Sequence, residues 1–99
     1  MDMTPAEIAE QMQIDEEVLR YVREMQGHAP IRAESVYGFL TKIRRRKLTL
    51  NDVEDRLDDL MDEGKLSVHP EWMPGEGNVN FYKISARGRD VLDGVVAGI

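Results

Sequence analysis

Apolar positions along the chain recur with a helical period up to Gly64, then alternate, then return to helical spacing after Ser85. The first segment, "MTPAEIAEQM", carries a helix start: Thr4 can cap, Pro5 presets the first-turn dihedral, and Glu7 lies three residues after the cap. It predicts a short helix from about Pro5 to Gln13. A second helix is expected over "IDEEVLRYVREMQG", with Asp15, Glu16 and Glu17 at its start, Val18, Leu19, Tyr21, Val22 and Met25 as its apolar stripe, and Gly27 as its stop.

After a short extended piece around Ile31, a helix from about Ala33 to Arg44 should bury Val36, Tyr37, Phe39, Leu40 and Ile43. Gly38 inside it costs up to ~1 kcal/mol relative to alanine, which suggests close packing at that point. The polar turn "RRRKLT" leads to "LNDVEDRLDDLMDEG". There Thr49 and Asp52 make a capping-box-like start, and Leu50, Val53, Leu57, Leu60 and Met61 follow at helical spacing until Gly64.

"KLSVHPEW" and "NVNFYKIS" then read as two strands joined by the loop "MPGEGN", with Pro70 pointing to an edge or strand end. Ser85 caps a last helix whose face is Val91, Leu92, Val95 and Val96. The expected class is mainly α with a small β-hairpin, an α+β fold, with residues 1–14 as an N-terminal helical extension and 15–99 as the domain proper.

The chain has 99 residues, of which 41% are hydrophobic and 32% charged, which suits one core and one soluble domain. It contains no cysteine, so neither disulfides nor thiolate ligands contribute. No stretch is apolar enough to span a membrane and no secretory leader is recognisable, so a cytoplasmic location is expected. The net charge of -6 is concentrated: Asp52, Glu54, Asp55, Asp58, Asp59, Asp62 and Glu63 stand against Arg56 alone between Leu50 and Gly64. That segment accounts for all of it.

Two segments carry a resemblance. In "LNDVEDRLDDLMDEGKLSV", Val53, Leu57, Leu60, Gly64 and Leu66 resemble the second helix of a helix-turn-helix running into a first wing strand. In "FYKISARGRDVL", Tyr82, Ile84, Ser85, Gly88, Arg89 and Leu92 are similar to the end of a second wing strand and the helix after it. Together they resemble the winged helix-turn-helix superfamily in its MarR-like and PadR-like flavour of bacterial or phage regulators. The resemblance implies a DNA-binding transcription regulator in which the helix after the turn enters the major groove and the hairpin wing touches the backbone.

The charges oppose that implication. The face of this helix opposite its apolar side comprises Asn51, Asp52, Asp55, Asp59 and Asp62, with no cation. Affinity for duplex DNA comes largely from neutralising phosphates, which such a face would repel. One aspartate could accept from a cytosine amino group, but a row of them would not. The alternatives are solvated surface, a docking face for a basic protein, mimicry of DNA charge, or a divalent-metal site, which the diverging oxygens of a single helix disfavour.

The cations that remain near the turn are Lys42, Arg44, Arg45, Arg46 and Lys47, which could sit on phosphate or simply complement a helix C-terminus and nearby acids. Trp72 and Met73 on the wing would either fold back on the core or stand out as an interface anchor. His28 and His69 are the only histidines, no nucleophile motif or phosphate-cradling loop occurs, and no third ligand joins His69 and Glu71.

A smaller helix-turn-helix within "TPAEIAEQMQIDEEVLRYV" is a looser resemblance, better taken as a packing extension. The sequence thus predicts a non-catalytic winged-helix regulatory or adaptor module with no cofactor and no metal. A basic protein partner is favoured, with DNA binding through Arg44 to Lys47 as the alternative and a homodimer through the apolar C-terminal segment left open.

Overall fold

The structure, a computed structural model, describes residues 2–94. Helix α1 runs without interruption over Pro5–Met25. Thr4 caps it reciprocally: its hydroxyl accepts from the Glu7 amide at 3.2 Å, and Glu7 Oε1 accepts from the Thr4 amide at 3.3 Å. The two helices expected on either side of Gln13 are therefore one, and the small helix-turn-helix considered there does not form. Nothing between Gln13 and Asp15 breaks a helix. The acids that suggested a new start are mid-helix side chains held by arginines: Asp15 by Arg56, Glu16 by Arg20, and Glu17 by Arg44 and Arg46. Ile14, Val18, Leu19 and Val22 form the buried stripe of this helix.

Helix α2, Ala33–Gly38, passes directly into a π-helical turn over Phe39–Ile43, in which the Arg44 amide bonds the Phe39 carbonyl at 3.1 Å. Such a turn accommodates one residue more than an α-turn and so rotates the side chains that come after it about the helix axis. Val36 and Leu40 are buried as expected, but Ile43, expected inside, is 68% exposed. Arg45 then takes a left-handed conformation (φ 59°), and the Arg46 amide reaches back to the Leu40 carbonyl at 2.9 Å, closing the element. Gly38 is helical with open space where a Cβ would stand, so close packing does not explain it.

Helix α3, Leu50–Asp62, has the expected cap: the Thr49 amide donates to Asp52 Oδ2 at 2.9 Å and the Asp52 amide to Thr49 Oγ1 at 3.1 Å. It buries Val53, Leu57 and Leu60. At its end Gly64 (φ 76°) reverses the chain and the Lys65 amide bonds the Leu60 carbonyl at 2.9 Å, the αL termination that glycine permits.

Strands β1 (Leu66–Met73) and β2 (Gly77–Ile84) pair antiparallel from Leu66↔Ile84 to Met73↔Gly77. Pro74 and Gly75 (φ 82°) occupy the centre of the turn, which the Glu76 amide closes on the Met73 carbonyl at 3.1 Å. Ile31 adds a bridge on the far side of β2, its carbonyl accepting from the Tyr82 amide at 2.8 Å. That leaves β1, and Pro70 within it, at the sheet edge where a missing N–H is tolerated.

Ser85 ties the end of β2 to helix α4, Ala86–Asp93. Its hydroxyl accepts from the Gly88 amide at 3.0 Å and donates to the Gly64 carbonyl at 2.5 Å. The α+β class with one hairpin stands. Side chains from α1, α2, α3 and both strands meet in one core, with Leu92 of α4 packed against it. Val95 and Val96, expected to continue the apolar face of the last helix, lie outside the described residues. No helix among the described residues is long and apolar enough to cross a membrane.

Candidate interaction surface

Burying Val53, Leu57 and Leu60 against the core fixes the rotation of α3, and the residues at the opposite phase must point out. Asn51, Asp52, Asp55, Asp59 and Asp62 are all exposed, together with Glu54, Asp58 and Glu63. The one cation of α3, Arg56, is turned sideways. Its guanidinium forks onto Asp15 of α1, Nε to Oδ1 at 2.9 Å and Nη2 to Oδ2 at 2.7 Å, while Nη1 reaches Asp59 at 2.6 Å. The Arg56 and Asp15 side chains are only 15% and 18% exposed, so this is a cross-helix clamp rather than a surface pair.

Burial pushes the Asp15 carboxyl up against the pull of Arg56. Asp55 and Asp59 lie one helical turn apart and repel each other, and the clamp offsets part of that cost by placing a guanidinium beside Asp59, while Asp52 serves the cap. Asp55 and Asp62 remain as exposed carboxylates with no ion pair among the described residues.

On the flank of α3 nearer the hairpin, Glu54 borders a depression shared with Asn78, Val79, Asn80 and Tyr82. Burial raises the pKa of the Tyr82 hydroxyl, and Asp58 and Glu54 add to the rise. Across this depression Arg32 is held by Glu76 at 2.8 and 3.3 Å and by Glu34 at 3.2 Å, which anchors the hairpin tip to the start of α2. Arg32 Nε is out of water and has no acceptor.

Trp72 does not fold back. It is 69% exposed, while Met73 beside it is half-buried. Its strand pairs Trp72 with Asn78, and alternation puts the indole on the sheet face that carries Leu66, Val68, Tyr82 and Ile84 nearer the core. The hairpin extends that face past the edge of the core, leaving the ring in solvent.

The basic run is split. Arg46 Nε and Nη2 donate to Glu17 Oε1 and Oε2 at 3.2 and 2.7 Å, and Arg44 Nη2 donates to the same Oε2 at 3.0 Å. Glu10 lies 3.9 Å from Arg46. Burial alone would raise the Glu17 carboxyl, but the hydrogen bonds from Arg46 and Arg44 outweigh it and hold it below the ordinary range. Lys42, Arg45 and Lys47 are exposed and make no ion pair among the described residues. The nearby acids that these cations could pair with are Glu17 and Glu10 of α1, not aspartates of α3.

Three parts of this arrangement escaped the sequence: the Arg56–Asp15 clamp, the Glu17 fork and the Arg32–Glu76 tie. Each joins residues 27 to 44 positions apart, and only the isolation of Arg56 among acids hinted at one of them. His69 has the Ser67 hydroxyl 3.4 Å away, and no three His, Cys, Asp or Glu side chains converge as metal ligands would among the described residues. Set against models of known protein families and against curated proteins, the chain matches none.

Proposed function

We propose that this protein is a non-catalytic interaction module of winged helix-turn-helix type, which docks a basic protein partner through the outward face of α3 and the exposed Trp72 of the hairpin. The order of the elements supports the scaffold: helix, short bridge at Ile31, two helices, hairpin, helix. On this reading α3 is the counterpart of the DNA-reading helix of such folds, and β1 and β2 are the counterpart of the wing.

The observation that supports the reading is that this outward face is acidic and largely uncompensated, because the one cation of α3 is turned to Asp15 and touches the face only at Asp59. Carboxylates there repel phosphate and attract Lys and Arg. An exposed tryptophan supplies the apolar anchor that interfaces concentrate. DNA binding through Lys42, Arg44, Arg45, Arg46 and Lys47 is the second reading. The exposure of Lys42, Arg45 and Lys47 favours it, and the engagement of Arg44 and Arg46 with Glu17 weighs against it.

Trp72 is the only tryptophan, so its emission reports directly on the surface. Titration with a hexa-arginine peptide at low salt should shift that emission saturably, and Asp55→Lys/Asp62→Lys should abolish the shift with the fold intact by circular dichroism. An unchanged titration in the charge-reversed protein would remove α3 from the interface.

A further inference from the structure

A second charge cluster lies away from the acidic face. Two guanidinium groups, Arg44 and Arg46, converge on one carboxylate, and all three of their hydrogen bonds to it fall between 2.7 and 3.2 Å. A carboxylate held by planar forks occupies the position that a phosphate oxygen pair would take on the same donors. The Glu17 side chain is 12% exposed and Arg46 is 19% exposed, whereas Arg44 keeps half of its surface in solvent. Around them the run continues with Lys42, Arg45 and Lys47, exposed and without ion pairs among the described residues. Arg45 is exposed and has a left-handed backbone just after the π-helical turn.

We infer that Arg44 and Arg46 form a latent contact for nucleic-acid phosphate, and that Glu17 of α1 is its internal occupant. With Glu17 in place two of the five cations from Lys42 to Lys47 are engaged by one carboxylate and drawn toward α1, and the remaining three give only weak electrostatic attraction. Without that carboxylate the whole run faces the backbone of a duplex. The inference rests on the ion-pair geometry and is independent of the protein-partner reading, since it concerns a different set of side chains.

The test compares wild type with Glu17→Gln, which keeps the shape and removes the charge, in titrations of random-sequence duplex DNA. Glu16→Gln is the control: the same change in net charge, one residue away, on a glutamate paired with Arg20 instead. Two freed phosphate contacts steepen the dependence of log affinity on log salt by up to about 1.8, so the advantage of Glu17→Gln over wild type should be about tenfold larger at 50 mM than at 200 mM salt.

Adding Arg44→Ala/Arg46→Ala to Glu17→Gln should cancel the gain. Equal affinities for wild type and Glu17→Gln, an equal gain from Glu16→Gln, or a gain that survives loss of both arginines would each overturn the inference. Tight DNA binding by wild type itself would count against the protein-partner reading instead, so the two fail by different results.

Discussion

Two glycines mark where this fold is tight and where it has room. Gly88 sits where α4 leaves the hairpin, and a Cβ there would collide with the Lys65 carbonyl and press within 2.8 Å of Ile84 Cγ1. Since the carbonyl belongs to backbone, it cannot swing away, and Gly88→Ala should cost about 2 kcal/mol, read as a lower midpoint in urea. Gly38 is the opposite case, a helical glycine with open space about it. Gly38→Ala should stabilise the protein by roughly 0.5 to 1 kcal/mol in the same measurement.

Glu17 adds a pH dependence. Its carboxyl is held below its ordinary value of 4.5, so its ion pairs contribute stability above that pH and lose it as pH falls through the folded-state value. Glu17→Gln should therefore be less stable than wild type at pH 7, by about 1 kcal/mol, with the difference closing below pH 4.5. Urea midpoints of the two proteins across pH 3 to 7 check the sign.

At the scale of elements, what the sequence disclosed depended on whether the deciding chemistry was local. The caps at Thr4, Thr49 and Ser85, the Pro74–Gly75 turn and the αL glycine after α3 all act within a few residues, and each is legible as a short pattern. The apparent helix boundary at Asp15 misled because acids in a first turn and acids reaching for arginines of another element look alike in one dimension. Ile43 misled for a related reason: a π-turn shifts the phase by a fraction of a turn, enough to move a side chain from core to solvent, and no residue type announces it.

The Arg56–Asp15 clamp is where α1 and α3 meet through charge. Arg56→Ala should cost about 2 kcal/mol by leaving a half-buried carboxylate without its donors, and a companion Asp15→Asn should recover part of the loss in a double-mutant cycle.

For the whole molecule, the net charge of -6 conceals a division of labour. The acidic surplus is spread over the outward face of α3, while several cations that could oppose it are engaged elsewhere, Arg56 mainly by Asp15, Arg44 and Arg46 by Glu17, Arg32 by Glu34 and Glu76, and Lys42, Arg45 and Lys47 stay exposed. The placement of the acidic face was legible, because apolar periodicity fixes the rotation of a helix once its buried side is known. The fate of the cations was not, because it depends on which elements fold against which. Both act in the same direction, lowering attraction to phosphate at α3, the helix that the proposed winged-helix reading would offer to DNA.

The measurement that bears most directly on this account is the titration of random-sequence duplex DNA with the wild-type protein at low salt. Wild type should bind only weakly even where electrostatic attraction is least screened, well below Glu17→Gln in the same salt. Tight binding that weakens steeply with added salt and disappears on changing Arg44, Arg45 and Arg46 to alanine would contradict it.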